Sequence, residues 1–190
     1  NNFPLHKYDS SSPVLHNLRS SKSKFVVGLL NGAIDIPRKG FLRALKFIKP
    51  NVWEYEIEAE LTHEYAINRA SGHAYEPIVA TGENACVLHY ISNEAQCKAG
   101  ELLLMDCAAE YANYNADLTR TVPVSGKFTK RQKNIYNTVL PVHREAANMM
   151  RAGVVLNALN QEVGKIMESE LLKLRLLKKS DINKQDKDYP

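Results

Sequence analysis

Apolar residues recur at helical intervals through residues 24–48, at Phe25, Leu29, Ile36, Phe41, Leu45 and Ile48, and Pro50 ends the pattern. Pro37 and the glycines of this stretch weaken the predicted helix without abolishing it. Residues 51–54, Asn-Val-Trp-Glu, have the form of a capping box. They predict a second helix from Trp53 to about Arg69, with acids concentrated in its first turns where the helix dipole favours them. Ser71-Gly72 breaks the pattern. Residues 76–80 and 86–91 then read as strands joined by a turn at 81–84. A further turn at 98–100 leads into the apolar run Leu102-Leu-Leu-Met105, which reads as a buried strand, and 117–121 is again β-prone. Residues 129–132, Thr-Lys-Arg-Gln, form another capping box and open a helix to about Met150, with Pro141 inside it. Gly153 separates it from an amphipathic helix near 156–177. Helices at both ends of a run of short antiparallel strands predict an α+β fold, an antiparallel sheet covered by helices.

Asp106 closes the run 102–105 and Asp117 opens the next strand. A hairpin centred between Tyr111 and Ala112 would place the two carboxylates directly opposite each other. Facing side chains in such a pair have Cβ atoms about 4.5–5.5 Å apart, and like charges there repel. Burying an unpaired carboxylate is also unfavourable. A divalent metal between them resolves both problems. Exposed aspartate pairs near hairpins are common and mostly solvated, but the apolar character of 102–105 marks this strand as sheet core. Oxygen ligands suit Mg, Mn, Fe or Co better than a thiolate-seeking metal. Two carboxylates do not suffice for a catalytic ion, so further ligands must come from elsewhere.

The composition restricts the alternatives. The chain has 190 residues, 44% hydrophobic and 24% charged, with a net charge of +4. These values suit one ordinary globular domain, or one and a piece. No apolar run is long enough to span a membrane, and the start of the chain has neither the basic patch nor the apolar core of a signal peptide. Basic residues are scattered among acids with no stripe interleaved with aromatics, which disfavours nucleic acid. Cys86, Cys97 and Cys107 lack metal-binding spacing and read as free thiols of a cytoplasmic protein.

Other chemistry-bearing residues carry less. His89 lies in the predicted strand 86–91; most lone strand histidines are core-edge residues, and the functional alternative is a proton carrier or a hydrogen-bond donor to substrate near a metal. His63 reads as a structural or surface residue beside Glu64, nothing supports a role for His73, and Tyr75 reads as packing. Arg120 points to the face opposite Asp117 and braces the sheet. Cys107 points away from Asp106 with no partnered base.

The run from Tyr75, YEPIVATGENACVLHY, and the run from Gly100, GELLLMDCAAEYANYNADLTRTVPVSGKFTKRQ, together resemble the pita-bread metallo-aminopeptidases, in the Xaa-Pro aminopeptidase and Xaa-Pro dipeptidase branch. The resemblance runs from about Phe25 to Leu177, and the pattern LHY…MD…Y…ADLTRT…GKFT is highly specific. It implies the first half of the pita-bread fold, with residues 1–22 a linker or the end of another domain, 23–179 the half-domain and 180–190 a polar segment leading onward. It also implies two divalent ions, most often manganese with cobalt, iron or zinc as alternatives, sharing a water that attacks a peptide carbonyl. Asp106 matches the aspartate that chelates one metal and Asp117 the aspartate that bridges both. His89 matches the histidine that contacts substrate, and Tyr75 the aromatic that hydrogen-bonds the bridging aspartate. The implied substrates are peptides with proline in second position, and the intact relatives form homo-oligomers. Two departures stand out: Cys107-Ala-Ala109 where many relatives carry a glycine, and no counterpart of the family's further histidine and two glutamates before Pro190. The resemblance therefore implies a fragment that binds metal weakly and hydrolyses nothing alone. The alternatives are a Xaa-Pro dipeptidase and a non-catalytic pita-bread module that binds protein or nucleic acid.

Overall fold

The computed structural model describes residues 9–182. The chain folds as two compact units, with the boundary after Lys127.

The first unit opens with α1 (Ser12–Ser20), which carries Pro13 in its first turn, where a missing N–H does no harm, and buries none of its residues. Helix α2 (Lys24–Phe47) starts at Ser23, whose side chain accepts from the Val26 N–H at 3.3 Å. It runs through Pro37, as the periodicity predicts. Its buried residues are Ala33, Ile36, Pro37, Gly40, Phe41 and Ala44, and of these Ile36, Phe41 and Ala44 pack in one core with Ile57, Leu61 and Tyr65 of α3 (Glu54–Ile67). Pro37 is among the buried residues, so tertiary packing offsets the hydrogen bond it removes.

The start of α3 differs from expectation. Trp53, not Asn51, is the cap, and the Glu56 carboxylate reaches back to accept from the Trp53 N–H at 2.7 Å. Glu54 is fully buried instead.

The helices meet closely at Gly40. A Cβ there would stand 2.7 Å from Tyr65 Cε1 and 3.3 Å from Leu61 Cδ2. Tyr65 is 1% exposed, so its ring has no room to retreat. Gly40→Ala gains about 1 kcal/mol of helix propensity but meets an overpacking penalty of about 1–3 kcal/mol. The variant should be less stable than the parent in urea, followed by the fluorescence of Trp53, the only tryptophan. A raised midpoint would show that the ring yields.

Among the described residues, six short strands form two antiparallel sheets. β1 (Gly72–His73) belongs to a sheet of order β1-β4-β5 with β4 (Ala109–Tyr111) and β5 (Tyr114–Asn115). β2 (Ile78–Thr81), β3 (Leu102–Asp106) and β6 (Thr119–Pro123) form the other, with β3 central. Leu103 and Met105 of β3 are fully buried and face the α2–α3 core, the alternation a half-covered strand requires.

The hairpin is centred one residue later than expected. Tyr111 pairs with Tyr114, so Ala112 and Asn113 form the loop, with φ of 51° and 65°. Positive φ at both central residues is the two-residue turn that matches strand twist, and asparagine tolerates it far better than a bulky tyrosine would. Asp106 therefore pairs with Thr119, and Asp117 stands diagonal to it, two residues along.

The strand expected at 86–91 is absent. β2 runs instead into a 3-10 turn (Gly82–Cys86), and the backbone enters the left-handed region at Gly82 (φ 55°), His89 (φ 54°) and Asn93 (φ 46°). A chain with such kinks cannot follow a ladder. Val87, Leu88 and Ile91, whose apolar character suggested a strand, are exposed at 55%, 90% and 51%.

In the second unit, α4 (Lys130–Met149) has the predicted capping box. Thr129 Oγ1 accepts from the Gln132 N–H at 3.2 Å, and Gln132 Oε1 accepts from the Thr129 N–H at 2.8 Å. Pro141 lies inside α4 without ending it. Helix α5 (Leu156–Lys173) contributes buried Leu159, α4 contributes Val142, and the short α6 (Lys179–Ile182) follows. Among the described residues no helix is long and apolar enough to cross a membrane. The architecture is α+β, antiparallel sheets with helices, as predicted.

Candidate metal centre

Asp106 ends β3, Asp117 precedes β6, and Tyr75 lies in the connection between β1 and β2. The backbone that carries them rests on small side chains: Ala33, Ala108 and Ala116 form a buried cluster against which Tyr75, Tyr111 and Tyr114 pack. The Tyr75 hydroxyl donates to Asp106 Oδ1 at 2.6 Å and lies 3.3 Å from Asp117 Oδ1. A phenol has one proton, so the short contact is the hydrogen bond that fixes Asp106, and the longer one is the weaker. Burial first, then the hydrogen bond and charge of Asp106, then the charge of Asp117, push the Tyr75 phenol well above its usual value. It therefore stays protonated and remains a donor.

Asp106 is half-buried and Asp117 exposed. Among the described residues, no lysine or arginine forms an ion pair with either. Two carboxylates that converge on one neutral hydroxyl repel each other and lack a counter-charge. Oxygen donors in that state suit a hard divalent cation. Among the described residues no group of three or more His, Cys, Asp or Glu side chains assembles around the pair. The carboxylates converge as the sequence predicts, by a diagonal and not a facing register.

His89 is exposed on the kinked segment after the 3-10 turn, and its ring has no hydrogen-bond partner among the described residues. The structure does not bring it into hydrogen-bond contact with Tyr75, Asp106 or Asp117. Arg120 is exposed, and its Nη1 donates to the Thr119 carbonyl at 2.7 Å. Cys107 is fully buried and its Sγ lies 3.4 Å from the Ile78 carbonyl; burial, then the charge of Asp106, pushes its thiol up, so it stays protonated. His73 meets Thr62 Oγ1 through Nε2 at 2.8 Å and stacks edge-on against Tyr65, and burial holds its imidazole below the usual value.

Sequence reasoning passed over Glu54, Glu58 and Asn93, which hold the segment bearing His89. A signal existed: Glu54 shares the i, i+3, i+7 stripe with Ile57 and Leu61, the apolar face of α3. A carboxylate on such a stripe is rarely buried unless paired.

Residues 29–186 match the model of metallopeptidase family M24. The Xaa-Pro aminopeptidase of Escherichia coli is 39% identical over 166 residues, 87% of this chain and 38% of the relative. A variant of E. coli aminopeptidase P in complex with substrate superposes with a TM-score of 0.85 at 38% identity, over 89% of this chain and 38% of that one. The zinc-substituted E. coli enzyme in complex with product gives the same TM-score, identity and coverage. The chain thus spans about two fifths of the length of these relatives. Its two sheets and their helices align with part of the pita-bread structure of aminopeptidase P. The chain belongs to metallopeptidase family M24, and within it is Xaa-Pro aminopeptidase-like.

Proposed function

We propose that this chain contributes one side of the active centre of a Xaa-Pro aminopeptidase, which hydrolyses the bond between an N-terminal residue and a following proline. The convergence of Asp106 and Asp117 on the Tyr75 hydroxyl carries the reading. Asp106 and Asp117 would hold two divalent ions, manganese first among them, with the remaining ligands supplied by the length of the relatives that this chain does not span. Such ions, when bound, supply an acidified water and a polarised carbonyl. Tyr75 holds the Asp106 carboxylate in one rotamer by a short bond from a phenol that does not ionise. His89, exposed and without a hydrogen-bond partner among the described residues, serves as the hydrogen-bond donor to substrate. The free thiols of Cys86, Cys97 and Cys107 suit a reducing compartment such as the cytoplasm. A homo-oligomer belongs to the same reading, as the resemblance to the family implies.

The test is made on the protein carrying this chain at the length of its relatives, with manganese. Release of the first residue from a Xaa-Pro-Xaa tripeptide should exceed that from a Xaa-Ala-Xaa control by about a hundredfold or more, as differential transition-state binding allows, and a chelator should stop it. Equal cleavage of both peptides sinks the proline assignment. Turnover restricted to the Xaa-Pro dipeptide would make the protein a dipeptidase.

A further inference from the structure

Glu54, the first residue of α3, is fully buried. Among the described residues it forms no ion pair. Its carboxylate accepts four hydrogen bonds instead. Oε1 takes the Thr81 N–H at 2.7 Å and Asn84 Nδ2 at 3.3 Å. Oε2 takes the Tyr90 hydroxyl at 2.7 Å and the Ala95 N–H at 2.9 Å. Bonds to an ionised acceptor are roughly twice as strong as neutral ones, and a negative charge in the first turn of α3 is favoured by the helix dipole. Burial, then the bond to Glu54 and its charge, keeps the Tyr90 phenol protonated and donating.

All four donors belong to residues 81–95, which contain no strand beyond Thr81. A second anchor acts within the same segment. Asn93, 2% exposed, accepts from the Val79 N–H through Oδ1 at 2.9 Å and donates through Nδ2 to the Pro77 carbonyl and to Glu58 Oε2, both at 2.8 Å. Between these anchors lie exposed Val87, Leu88 and His89, whose packing alone could not order the backbone. At the other end, Thr81 closes β2, which pairs with β3 up to Asp106. One carboxylate thus ties the segment bearing His89 to β2, the strand paired with the one that ends in Asp106.

We propose that Glu54 is a positioning residue: its buried carboxylate fixes residues 81–95 against α3 and so sets where the His89 imidazole stands relative to Asp106 and Asp117. This rests on the role given to His89 under the proposed function.

Glu54→Gln tests it in the full-length protein. The amide keeps the shape but turns one acceptor into a donor, which must face the N–H of either Thr81 or Ala95. Hydrogen exchange at the Thr81 and Ala95 amides should quicken roughly tenfold to a hundredfold, and the His89 backbone should gain motion, while α2 and β3 keep their protection. Turnover of a Xaa-Pro peptide should fall roughly a hundredfold, as displacement of a catalytic group by about 1 Å predicts. On a His89→Ala background the same substitution should add less than about threefold, because coupled residues are non-additive. Equal losses in both backgrounds, or unchanged exchange at Thr81, Ala95 and His89, overturn the proposal. Tyr90→Phe removes one donor and leaves the carboxylate in place; it should loosen the same amides by a smaller factor, and it decides the question if Glu54→Gln does not fold. His89→Ala with parental turnover would instead sink the role of His89, and the exchange measurements would still decide whether Glu54 holds the segment.

Discussion

On the proposed function, Asp117→Asn in the protein carrying this chain at the length of its relatives should lower kcat/KM for a Xaa-Pro peptide by about a thousandfold or more, equivalent to about 4 kcal/mol of transition-state stabilisation. The substitution removes one negative charge and one of the oxygens proposed to hold metal, and changes the side chain's volume hardly at all. Folding should not suffer. Asp117 is exposed, and its one side-chain hydrogen bond among the described residues is the 3.3 Å approach of the Tyr75 hydroxyl, weaker than that group's 2.6 Å bond to Asp106. Without metal, the variant relieves repulsion between two carboxylates that share one donor, so its melting temperature should equal or slightly exceed the parent's. With manganese the order should reverse, because the parent alone gains the stabilisation of a ligand that binds only the folded state. The combination of lost turnover, an unharmed metal-free fold and a lost manganese shift is specific to a metal ligand. Near-normal turnover would remove Asp117 from the centre.

Helices α2 to α5 were legible because their signals are local, whereas α1 and α6, in or at the edge of segments read as polar, were not. The capping box at Thr129 and Gln132 and the periodicity of 24–48 both state their elements within a few residues, and Pro37 and Pro141 are absorbed by packing and by helix length. The pair Asp106 and Asp117 was legible because a charge at the end of an apolar strand conflicts with its surroundings. The hairpin register was not, because the turn is chosen by which residues tolerate positive φ. Ala112 and Asn113 outcompete a centre one residue earlier and move Asp106 from Asp117 to Thr119. The segment 86–91 misled for a related reason. Val87, Leu88 and Ile91 carry strand propensity, but Glu54, 36 residues from Tyr90 in the sequence, takes the donors of this segment into its own carboxylate. No window of local sequence contains both ends of that interaction.

Leu61→Ala should have the opposite signature to Asp117→Asn. Leu61 is fully buried in the core that joins α2, α3 and β3, and a Cβ at Gly40 would stand 3.3 Å from its Cδ2. Removing a buried isobutyl group loses its transfer free energy and leaves a cavity, together about 2–5 kcal/mol. Collapse is hindered on the Gly40 side, since a glycine has no side chain to move into the space. Against a typical total of about 5–15 kcal/mol, a loss of that size moves the unfolding midpoint far toward lower urea. Trp53, just before α3, reports the loss for the first unit directly. Leu61 makes no hydrogen bond to Tyr75, Asp106, Asp117 or the segment 81–95, so turnover per folded molecule in the cold should remain within about threefold of the parent. Stability lost with chemistry kept would show that the core supports the site without tuning it. Chemistry lost at an unchanged Trp53 midpoint would show instead that α3 transmits packing changes through Glu54 to His89.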